Sequence, residues 1–593
     1  MSRLDDALSI MARAEATVRV NRRLSGGDTA AEIKGENINL TIGKDAVVSG
    51  TTDAVVMSAV GPYVPPVDDG GIGPFAQSPG IATLDNAGTI TGGSGSAIRV
   101  TDGTAIIRNT GRIEGRVTLA DGDDRVANAG VMLVSANSDF GAGDDLFTNT
   151  GVVQFAKAAA PITAGFLNLE RFVNDGGLID LRNERAGDVF SLAGAYVGSG
   201  QARLALDVSG GTADRLTIAG AATGSTTVLL QGLKPSEATL TAKPATLIAV
   251  GAGSAADAFK LGNADQGLIR YGLSFNATTR TFELDSSAGL SVHRVVRAGE
   301  ALDGAWRASA DAFNAEQMAE RALGGEPGGV WAQLHGASTS RDGDSDAFAL
   351  NYDQDVVGGQ MGVTLGGIDL LGGQAGFGLT AGYVDTSLTF ADGGPDAEVQ
   401  TLNVGAYGAW RRENLFATGL LKVDSHQFSF HDRQAGYEAD LDGLSWGAQF
   451  QAGYRLDVVG LTVEPSVTVD YVATSLDDLE ALGQRVEFDD QSGLSTRLGA
   501  QAFKEVNLSE GRSLVLSAGL EGVHAFDPDR SGVLVSGGQS DAVASQGAET
   551  YGRALAGVQV ELSEGLQASL QAEGRFGEGQ SGGGVRLGVR YRF

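Results

Sequence analysis

The chain has 593 residues, of which 88 are glycine and none is cysteine, and its formal net charge at pH 7 is -30. This length exceeds one compact domain, and the glycine content favours many short strands joined by tight turns over a helical fold. The acidity excludes a nucleic-acid-binding protein, which needs basic residues to neutralise phosphates, and the lack of cysteine is compatible with export through an oxidising compartment.

Residues 1–34 have no clear role. No window of the chain holds 18 consecutive apolar residues, so no transmembrane helix is predicted. The start also lacks the apolar core of a signal peptide, because Asp5, Asp6 and Glu15 interrupt it. We interpret this start as a missing or misassigned leader or as an artificial boundary. A short amphipathic helix that caps the next region is the alternative.

Residues 35–186 contain a loose repeat that predicts a parallel β-helix. The tripeptide Asn-x-Gly recurs with spacings of 23, 19, 21 and 25 residues, at Asn86, Asn109, Asn128, Asn149 and Asn174. Asn and Gly tolerate left-handed backbone angles, so each tripeptide indicates a turn. The near-constant spacing favours one solenoid rung per repeat over independent antiparallel hairpins. The Pro- and Gly-rich stretch 61–80 breaks the pattern and is interpreted as a surface loop.

Two acidic pairs lie 21 residues apart, one predicted rung from each other: Asp123 with Asp124, and Asp144 with Asp145. Stacked at one corner, their carboxylates would repel unless a cation or solvent separated them, so calcium is a candidate ligand. The pattern faintly resembles the calcium repeats of secreted toxins, which come in uninterrupted tandem. Solvated turn residues are the favoured interpretation, and no other cofactor is predicted.

Residues 187–299 show the period-two alternation of strands with one buried face, as in Leu204, Leu206 and Val208. This segment resembles the C-terminal stem of autotransporter passengers. The matching features are a Tyr-x-Gly strand at Tyr196, an Asp-x-Leu-x-Ile-x-Gly strand that begins at Asp214, and the tripeptide 224–226. The resemblance implies an autochaperone-like stem at the end of a displayed passenger.

Residues 300–325 form the one strong helical pattern, with Gly324 and Gly325 as a stop. A helix of about 20 residues is about 30 Å long, which matches the hydrocarbon thickness of a bilayer. Because it carries Arg307 and Glu320 among other charges, it cannot face lipid, and we expect it inside a polar lumen. A solvated interdomain helix is the alternative.

Residues 326–593 predict an antiparallel transmembrane barrel, because apolar and polar side chains alternate along each segment. An even number of strands lets a meander close with both ends on one side, and closure removes unpaired edges. The twelve predicted strands lie near residues 329–340, 354–366, 371–390, 396–411, 413–431, 436–459, 461–474, 488–507, 512–527, 548–562, 565–577 and 582–593.

The last of these segments has the clearest alternation. One face carries Val585, Leu587, Val589, Tyr591 and Phe593, and the other carries three arginines that we expect to face the lumen: Arg586, Arg590 and Arg592. Three tryptophans are predicted at the interfacial girdles, with core packing as the alternative: Trp331, Trp410 and Trp446.

Residues 300–593 resemble the autotransporter translocator domain. The features that match are the lumen helix, the first-strand motif over 329–336, the segment 360–366, and the terminal Tyr591-Arg592-Phe593. The resemblance implies periplasmic chaperones, recognition of Tyr591 and Phe593 by the outer-membrane assembly machinery, and passage of the passenger through the pore. The predicted fold is therefore all-β, with a β-helix passenger and a 12-stranded barrel in outer-membrane lipid around a lumen α-helix.

The passenger offers little catalytic chemistry. The five histidines all lie at or after His293, so a Ser-His-Asp hydrolase or histidine-bound zinc in the repeat region is excluded. We therefore expect a surface-displayed, adhesin-like or structural passenger with an unknown extracellular ligand and no nucleic acid. The alternatives are a carbohydrate-active enzyme that uses its Asp pairs, and a pore with a periplasmic appendage. Because the lumen helix holds the single asparagine Asn314, we expect the passenger to be retained.

Overall fold

A computed structural model describes residues 6–63, 77–209, 212–231, 235–236, 238–324, 328–343, 348–507, 513–577 and 579–593. Most of the predicted loop over 61–80 therefore lies outside the described residues. The chain divides into two compact units. The first comprises Met1–Glu237, Thr241–Gln266 and Tyr271–Ser286, and the second comprises Ala238–Leu240, Gly267–Arg270 and Ser287–Phe593.

The first part of the chain consists of short strands. In chain order they are β1 (Asp6–Met11), β2 (Glu15–Val20), β3 (Leu24–Ser25), β4 (Thr29–Gly35), β5 (Asn37–Ile42), β6 (Val47–Ser49), β7 (Asp53–Tyr63), β8 (Gln77–Pro79), β9 (Ile81–Asn86), β10 (Thr89–Asp102), β11 (Thr104–Asn109), β12 (Arg112–Thr118), β13 (Arg125–Asn128), β14 (Val131–Val134), β15 (Ser138–Asp139), β16 (Leu146–Asn149), β17 (Val152–Phe155), β18 (Thr163–Leu167), β19 (Arg171–Asp175), β20 (Leu178–Asp180), β21 (Val189–Leu192), β22 (Ala195–Ser209), β23 (Thr212–Ala213), β24 (Arg215–Ile218), β25 (Ala222–Gln231), β26 (Ala245–Ala249), β27 (Phe259–Leu261), β28 (Asp265–Gln266), β29 (Ile269–Asn276) and β30 (Thr281–Ala288).

These strands build a parallel solenoid with three sheets, as the repeat predicts. Strands of successive coils pair in parallel: β1 with β4 and β4 with β7, β2 with β5 and β5 with β9, and β3 with β6. The long strands β10, β12, β22 and β25 each contribute to two sheets. Near its end the solenoid changes direction, because β26 pairs with β30 in antiparallel fashion.

The first coil lies within residues 6–25. Strand β1 pairs with β4 and β2 pairs with β5, so the start of the chain supplies a solenoid coil. Ala16 and Val18 of β2 turn inward and are buried. The alternative of an amphipathic helix is therefore wrong for these residues, because a period-two burial pattern belongs to a strand.

The repeated asparagines form a buried ladder inside the solenoid. The Asn86 amide donates to Asn109, Asn109 to Asn128, Asn128 to Asn149, and Asn149 to Asn174, over 2.8 to 2.9 Å. The glycine of the motif is required for close approach, since a methyl group at Gly111, Gly130 or Gly151 would overlap the carbonyl of the coil before it. The left-handed backbone expected for this motif is found at Gly176 alone among the five repeats.

The apolar core of the solenoid changes along its length. Its first half is filled by Ala, Val, Ile and Leu, whereas aromatic rings stack through the later coils. Ring centroids lie 5.0 Å apart between Phe147 and Phe172, 6.0 Å between Phe172 and Tyr196, and 5.5 Å between Tyr196 and Phe259. The later coils therefore bury more apolar area per residue.

The second unit contains two helices and the remaining strands. They are α1 (Leu290–Ala298), α2 (Glu300–Leu323), β31 (Gly329–Arg341), β32 (Tyr352–Leu370), β33 (Gly373–Phe390), β34 (Asp396–Arg412), β35 (Leu415–Asp432), β36 (Tyr437–Tyr454), β37 (Leu456–Val458), β38 (Leu461–Leu476), β39 (Leu479–Ala481), β40 (Gln484–Phe488), β41 (Gln491–Asn507), β42 (Ser513–Ala525), β43 (Arg530–Ser536), β44 (Gln539–Ser545), β45 (Thr550–Ser563), β46 (Leu566–Gly577) and β47 (Gln580–Tyr591). Neither of the helices among the described residues is long and apolar enough to cross a bilayer.

Twelve long strands form a closed antiparallel barrel, which confirms the predicted fold. Neighbours in sequence pair throughout, and the ring closes because β31 pairs with β47 and β36 pairs with β38. Strand β37 is a short addition beside β38. Strand β31 begins and strand β47 ends at the same end of the barrel, which we call the proximal end. The opposite end is the distal end.

A four-stranded sheet at the distal end was not expected from the sequence. Strands β39, β40, β43 and β44 come from the two connections β38–β41 and β42–β45 and pair in that order. Helix α1 packs against β43 and β44. These strands have three to seven residues, too few for a pattern of alternation to stand out.

Candidate functional site

The barrel wall presents apolar side chains outward and polar side chains inward. Leu334 of β31 and Leu498 of β41 are 64% and 66% exposed on the outer side. Gln333, Thr401 and Ser445 point inward and are buried. A wall with this orientation is stable where its outer surface meets hydrocarbon and its inner surface is enclosed.

Helix α2 passes through the barrel from the distal to the proximal end. Glu300, its first residue, accepts a hydrogen bond of 3.1 Å from Tyr352, at the distal start of β32. The carbonyl oxygen of Gly324, which follows the helix, accepts a hydrogen bond of 2.9 Å from Arg592 at the proximal end. The expected lumen helix is therefore confirmed.

One face of α2 carries acidic side chains that pair with arginines of the wall. Asp311 lies against Arg497 and is 3.1 Å from Arg553 and 3.6 Å from Arg586. The two arginines 553 and 586 also reach Glu573, at 2.8 and 2.7 Å. These charges are buried in an enclosed space, where each requires an opposite partner, so the pairs favour this position of the helix.

A second ionic cluster lies near the proximal end. Arg590 of β47 is 3.0 Å from Glu316 and 2.5 Å from Glu320 of α2, and Arg411 of β34 is 2.6 Å from Glu320. Arg321 of the helix lies 3.3 Å from Glu464 of β38. Strands from both sides of the ring thus contact the last turns of α2.

The opposite face of α2 is apolar, and it packs on an apolar patch of the inner wall. Trp306, Ala310 and Phe313 of the helix form one buried cluster with four wall residues, Trp331, Tyr407, Leu420 and Val472. The Trp331 indole donates to the Tyr407 hydroxyl over 2.8 Å. The expected polar lumen therefore also contains an apolar patch, on which one face of the helix packs.

Trp331 itself corrects the predicted girdle. Its side chain is 3% exposed and points into the barrel, so the core-packing alternative is the right one for this residue. Trp446 is 52% exposed and lies beside Tyr471 on the outer surface, as a girdle residue would. Trp410 donates its indole N–H to the carbonyl of Leu370.

The remaining space inside the barrel is small. Polar cavities of about 80, 40 and 30 Å³ lie between α2 and the wall. A cavity needs roughly 10 to 15 Å³ of this kind to hold one water molecule, so each takes only a few waters. Within the described part of the barrel, α2 and the wall side chains together fill the bore.

The sequence-derived lumen residues occupy different places. Arg586, Arg590 and Glu320 are buried in the ionic clusters described above. Arg307 lies on α2 and lines the polar cavity of about 80 Å³. Arg592 is at the proximal rim, 3.3 Å from Glu561, with its side chain 23% exposed.

The two residues of the predicted assembly signal lie at the outer, proximal edge of the barrel. Tyr591 is the last residue of β47 and is half exposed, and Phe593 is largely exposed beyond the strand. Both side chains are accessible for a partner, and their recognition by the assembly machinery stays a prediction.

The acidic pairs of the solenoid stack one coil apart, but their carboxylates bond to the backbone. Asp124 accepts a hydrogen bond from the N–H of Ala105 over 2.6 Å, and Asp145 accepts one from the N–H of Asp124 over 2.8 Å. Asp123 likewise accepts from the N–H of Asp144 over 2.9 Å. The carboxylates of Asp123, Asp124 and Asp145 therefore bond to backbone N–H groups of a neighbouring coil.

Burial of Asp124 and Asp145 favours the protonated form of these two carboxyl groups. Desolvation raises the pKa of Asp124 to about 7 and the pKa of Asp145 to about 6, and the adjacent acids Asp145 and Glu170 add to the two shifts. Asp214, in the stem, has its pKa raised to about 7 by the same burial. No group of three or more potential ligands is arranged to hold a metal ion among the described residues, and calcium binding stays a prediction.

Family comparisons agree with the two units. The model of the autotransporter β-domain matches residues 330–573, and the pertactin model matches residues 182–286. The autotransporter adhesin/invasin TibA of Escherichia coli O78:H11 is 30% identical over 37% of this chain. The BrkA autotransporter of Bordetella pertussis is 26% identical over 67% of this chain. The matches span 19% and 38% of those two relatives' own lengths.

Among solved structures, the crystal structure of the β-domain of the Bordetella autotransporter BrkA is similar. Its TM-score is 0.37 at 23% sequence identity, and the match covers 45% of this chain and 99% of that one.

Proposed function

Because the chain belongs to the autotransporter proteins, with a translocator β-domain and a β-solenoid passenger, we propose that its barrel translocates and anchors the solenoid at the cell surface. The observation that carries this proposal is the path of the chain. Strand β30 ends at Ala288, α1 and α2 follow directly, and α2 runs through the closed barrel. A chain that threads its own pore is what passage through that pore would leave behind.

The outer membrane is the place where such a barrel is stable. Its outer surface is a continuous ring of exposed Leu, Val, Met and Phe side chains, which would be unstable in water. We infer that lipid covers this ring, and that periplasmic chaperones and the assembly machinery deliver the chain through its terminal Tyr591 and Phe593.

The passenger is proposed to act as an adhesin-like surface protein with an extracellular ligand still to be identified. The support is twofold: TibA, a relative of this chain, is an adhesin/invasin, and the solenoid contains no histidine. The paired aspartates, on which an enzymatic passenger would depend, use carboxylate oxygens to cap backbone N–H groups.

Surface display is tested by expressing the chain with a cleavable leader and adding protease or antibody to unbroken cells. We expect antibodies against residues 77–209 to bind, and protease to remove that region while the barrel stays in the membrane. Cells permeabilised before treatment are the control for expression. Binding that appears only after permeabilisation would contradict the proposal and favour a periplasmic appendage.

Adhesion is tested with the same cells. Full-length chain should increase attachment to host-cell monolayers or to other bacteria, and a chain that lacks residues 35–186 should not, although its barrel is still present. Equal attachment by both strains would show that the solenoid is not the adhesive part.

We further propose that the passenger stays attached. Asn314 lies in the middle of α2, which is unbroken from Glu300 to Leu323, and it has no neighbouring asparagine. Mass spectrometry of the protein from washed outer membranes should give one full-length chain. A separate barrel fragment that begins within α2 would contradict this proposal.

A further inference from the structure

The apolar face of α2 fits the barrel wall through side chains that lie on glycines. Leu302 and Trp306, one helical turn apart, are fully buried against β36. A methyl group built at Gly443 would come within 2.9 Å of Leu302 Cδ2, and one at Gly447 within 2.6 Å of the Trp306 ring. Two wall glycines therefore form recesses for two side chains of the helix.

On strand β32 the roles are exchanged: a glycine of the helix receives a side chain of the wall. Gly304 of α2 faces Gln354 of β32, and a methyl group at Gly304 would lie 3.0 Å from the Gln354 amide nitrogen. Here the helix provides the recess and the wall provides the side chain. Knobs and recesses from both partners allow close packing at one axial position of the helix.

The ionic clusters favour the same position. Asp311, Glu316 and Glu320 each lie within 3.6 Å of an arginine of β47, which is six strands away from β36 around the ring. Sliding the helix by four residues moves it by about 6 Å, which would separate these buried pairs and lift Leu302 and Trp306 from their glycines. Both faces of α2 therefore disfavour a shifted position.

We propose that Gly443 and Gly447 are a docking stop: they fix the axial register at which α2 comes to rest in the barrel. This inference rests on the proposed translocation, since a stop has meaning for a chain that moves through the pore. In this role Leu302 and Trp306 are positioning residues, and the length of chain left outside the barrel follows from where they dock.

The register can be measured with disulfides, because the chain has no cysteine of its own. Ala305 of α2 packs against Val384 of β33 and Val356 of β32 in one buried cluster. Ala301 and Ser309 lie one turn to either side of Ala305 on the same helix face. Three double variants of the full chain therefore report the register: Val384→Cys combined with Ala301→Cys, with Ala305→Cys or with Ser309→Cys. We call their relative disulfide yields the disulfide pattern.

In outer membranes treated with a mild oxidant, we expect the 305–384 pair to form the disulfide and the other two pairs to form little. Gly443→Leu fills one recess, and overpacking of this kind disfavours the position at which Leu302 occupies it. It should lower the yield of the 305–384 disulfide about tenfold and raise that of the 301 or the 309 pair. Adding Leu302→Ala to Gly443→Leu removes the clash and should restore the original pattern.

Two further variants keep the experiment decisive. Gly493→Leu is the matched control: Gly493 lies on β41 among inward-facing residues, and the nearest atom to a methyl group there is 3.5 Å away. Gly493→Leu should leave the disulfide pattern unchanged. If Gly443→Leu yields no folded barrel, Trp306→Ala, which empties the other recess, should spread the disulfide over neighbouring pairs.

An unchanged disulfide pattern in both Gly443→Leu and Trp306→Ala, with folded barrels, would overturn the docking stop. Loss of a merely stabilising contact would lower stability without moving the helix. Surface display is scored separately on the same cells. If the disulfide pattern shifts as expected but no passenger is found at the cell surface, the proposed translocation is overturned. The fit between the helix and the wall glycines is then still supported. Normal surface display with an unchanged disulfide pattern in the variants would overturn the docking stop alone.

Discussion

The solenoid and the barrel use the same two-residue alternation in opposite senses. The solenoid turns its apolar side chains inward, as at Phe147 and Phe172, whereas the barrel turns Leu334 and Leu498 outward. Their buried polar groups differ as well. The solenoid stacks like on like, amide on amide and carboxylate above carboxylate, and the barrel pairs carboxylates with arginines. The surroundings of each sheet, water or hydrocarbon, decide which face must be apolar.

The largest expected effect tests where the apolar core lies. Phe147→Ala removes a fully buried ring that stacks on Phe172 and Phe166, and it should destabilise the solenoid by about 4 kcal/mol. Leu334→Ala, on the outer side of the barrel, is the matched control. It should leave the heat-induced unfolding of the barrel nearly unchanged, because its side chain is exposed on the outer surface of the folded protein. Protease resistance of the solenoid measures the first effect, and equal losses in the two variants would contradict the comparison.

The next effect tests charge pairing in the barrel. Arg590→Ala leaves Glu316 and Glu320 buried without that partner, and this should cost about 3 kcal/mol, because an uncompensated buried charge is unfavourable. Arg590→Ala combined with Glu316→Gln should recover most of the loss, because Glu320 keeps Arg411 as its partner. The temperature at which the folded barrel unfolds in a gel-shift assay measures both variants. A double variant no better than Arg590→Ala would show that pairing is not the cause.

A smaller effect tests the amide ladder. Asn128→Ala removes the partner of both Asn109 and Asn149 and leaves buried polar atoms without hydrogen bonds, at a cost of about 2 kcal/mol. Thr148→Ala, on the outward side of the neighbouring strand β16, is the control and should change stability by less than about 0.5 kcal/mol. Denaturant-induced unfolding of the solenoid, followed by protease sensitivity, distinguishes them.

The smallest effect concerns pH. The pKa of Asp124 is about 7 in the folded solenoid and 3.8 in the unfolded chain, so the folded state binds more protons between these values. Stability should therefore fall as the pH rises from about 4 to 7. A shift of this size corresponds to roughly 4 kcal/mol for a rigid site, and we expect about 1 kcal/mol because relaxation and water near the carboxylate weaken the effect. Asp124→Asn keeps an oxygen for the Ala105 N–H and should flatten the dependence. Unfolding midpoints at pH 5 and pH 8 provide the measurement, and a solenoid more stable at pH 8 would contradict the assignment.

Much of the architecture was predictable because it depends on local periodicity. Twelve alternating segments, one charged helix of membrane length and a repeat of about 20 residues each leave a pattern in a single stretch of chain. The observed strands of the barrel differ from the predicted ones by a few residues at their ends, as at β32, which begins at Tyr352 and ends at Leu370.

Other features could not be read from a single stretch. Asn-x-Gly indicated a turn, but the buried amide ladder appears only when coils stack, because each amide bonds to a residue 19 to 25 positions away. The distal sheet was missed because its strands are short and pair across two different connections.

The sequence by itself determined which side chains share a face of each strand, that the chain holds a solenoid and a barrel, and that one charged helix precedes the barrel. The tertiary structure alone decided what each inward side chain meets. Trp331 points to the helix, Gly443 receives Leu302, and Asp311 reaches arginines from three strands. Alternation along a strand specifies a side of the sheet, whereas a contact across the bore joins residues that are far apart in the chain and is set by closure of the ring.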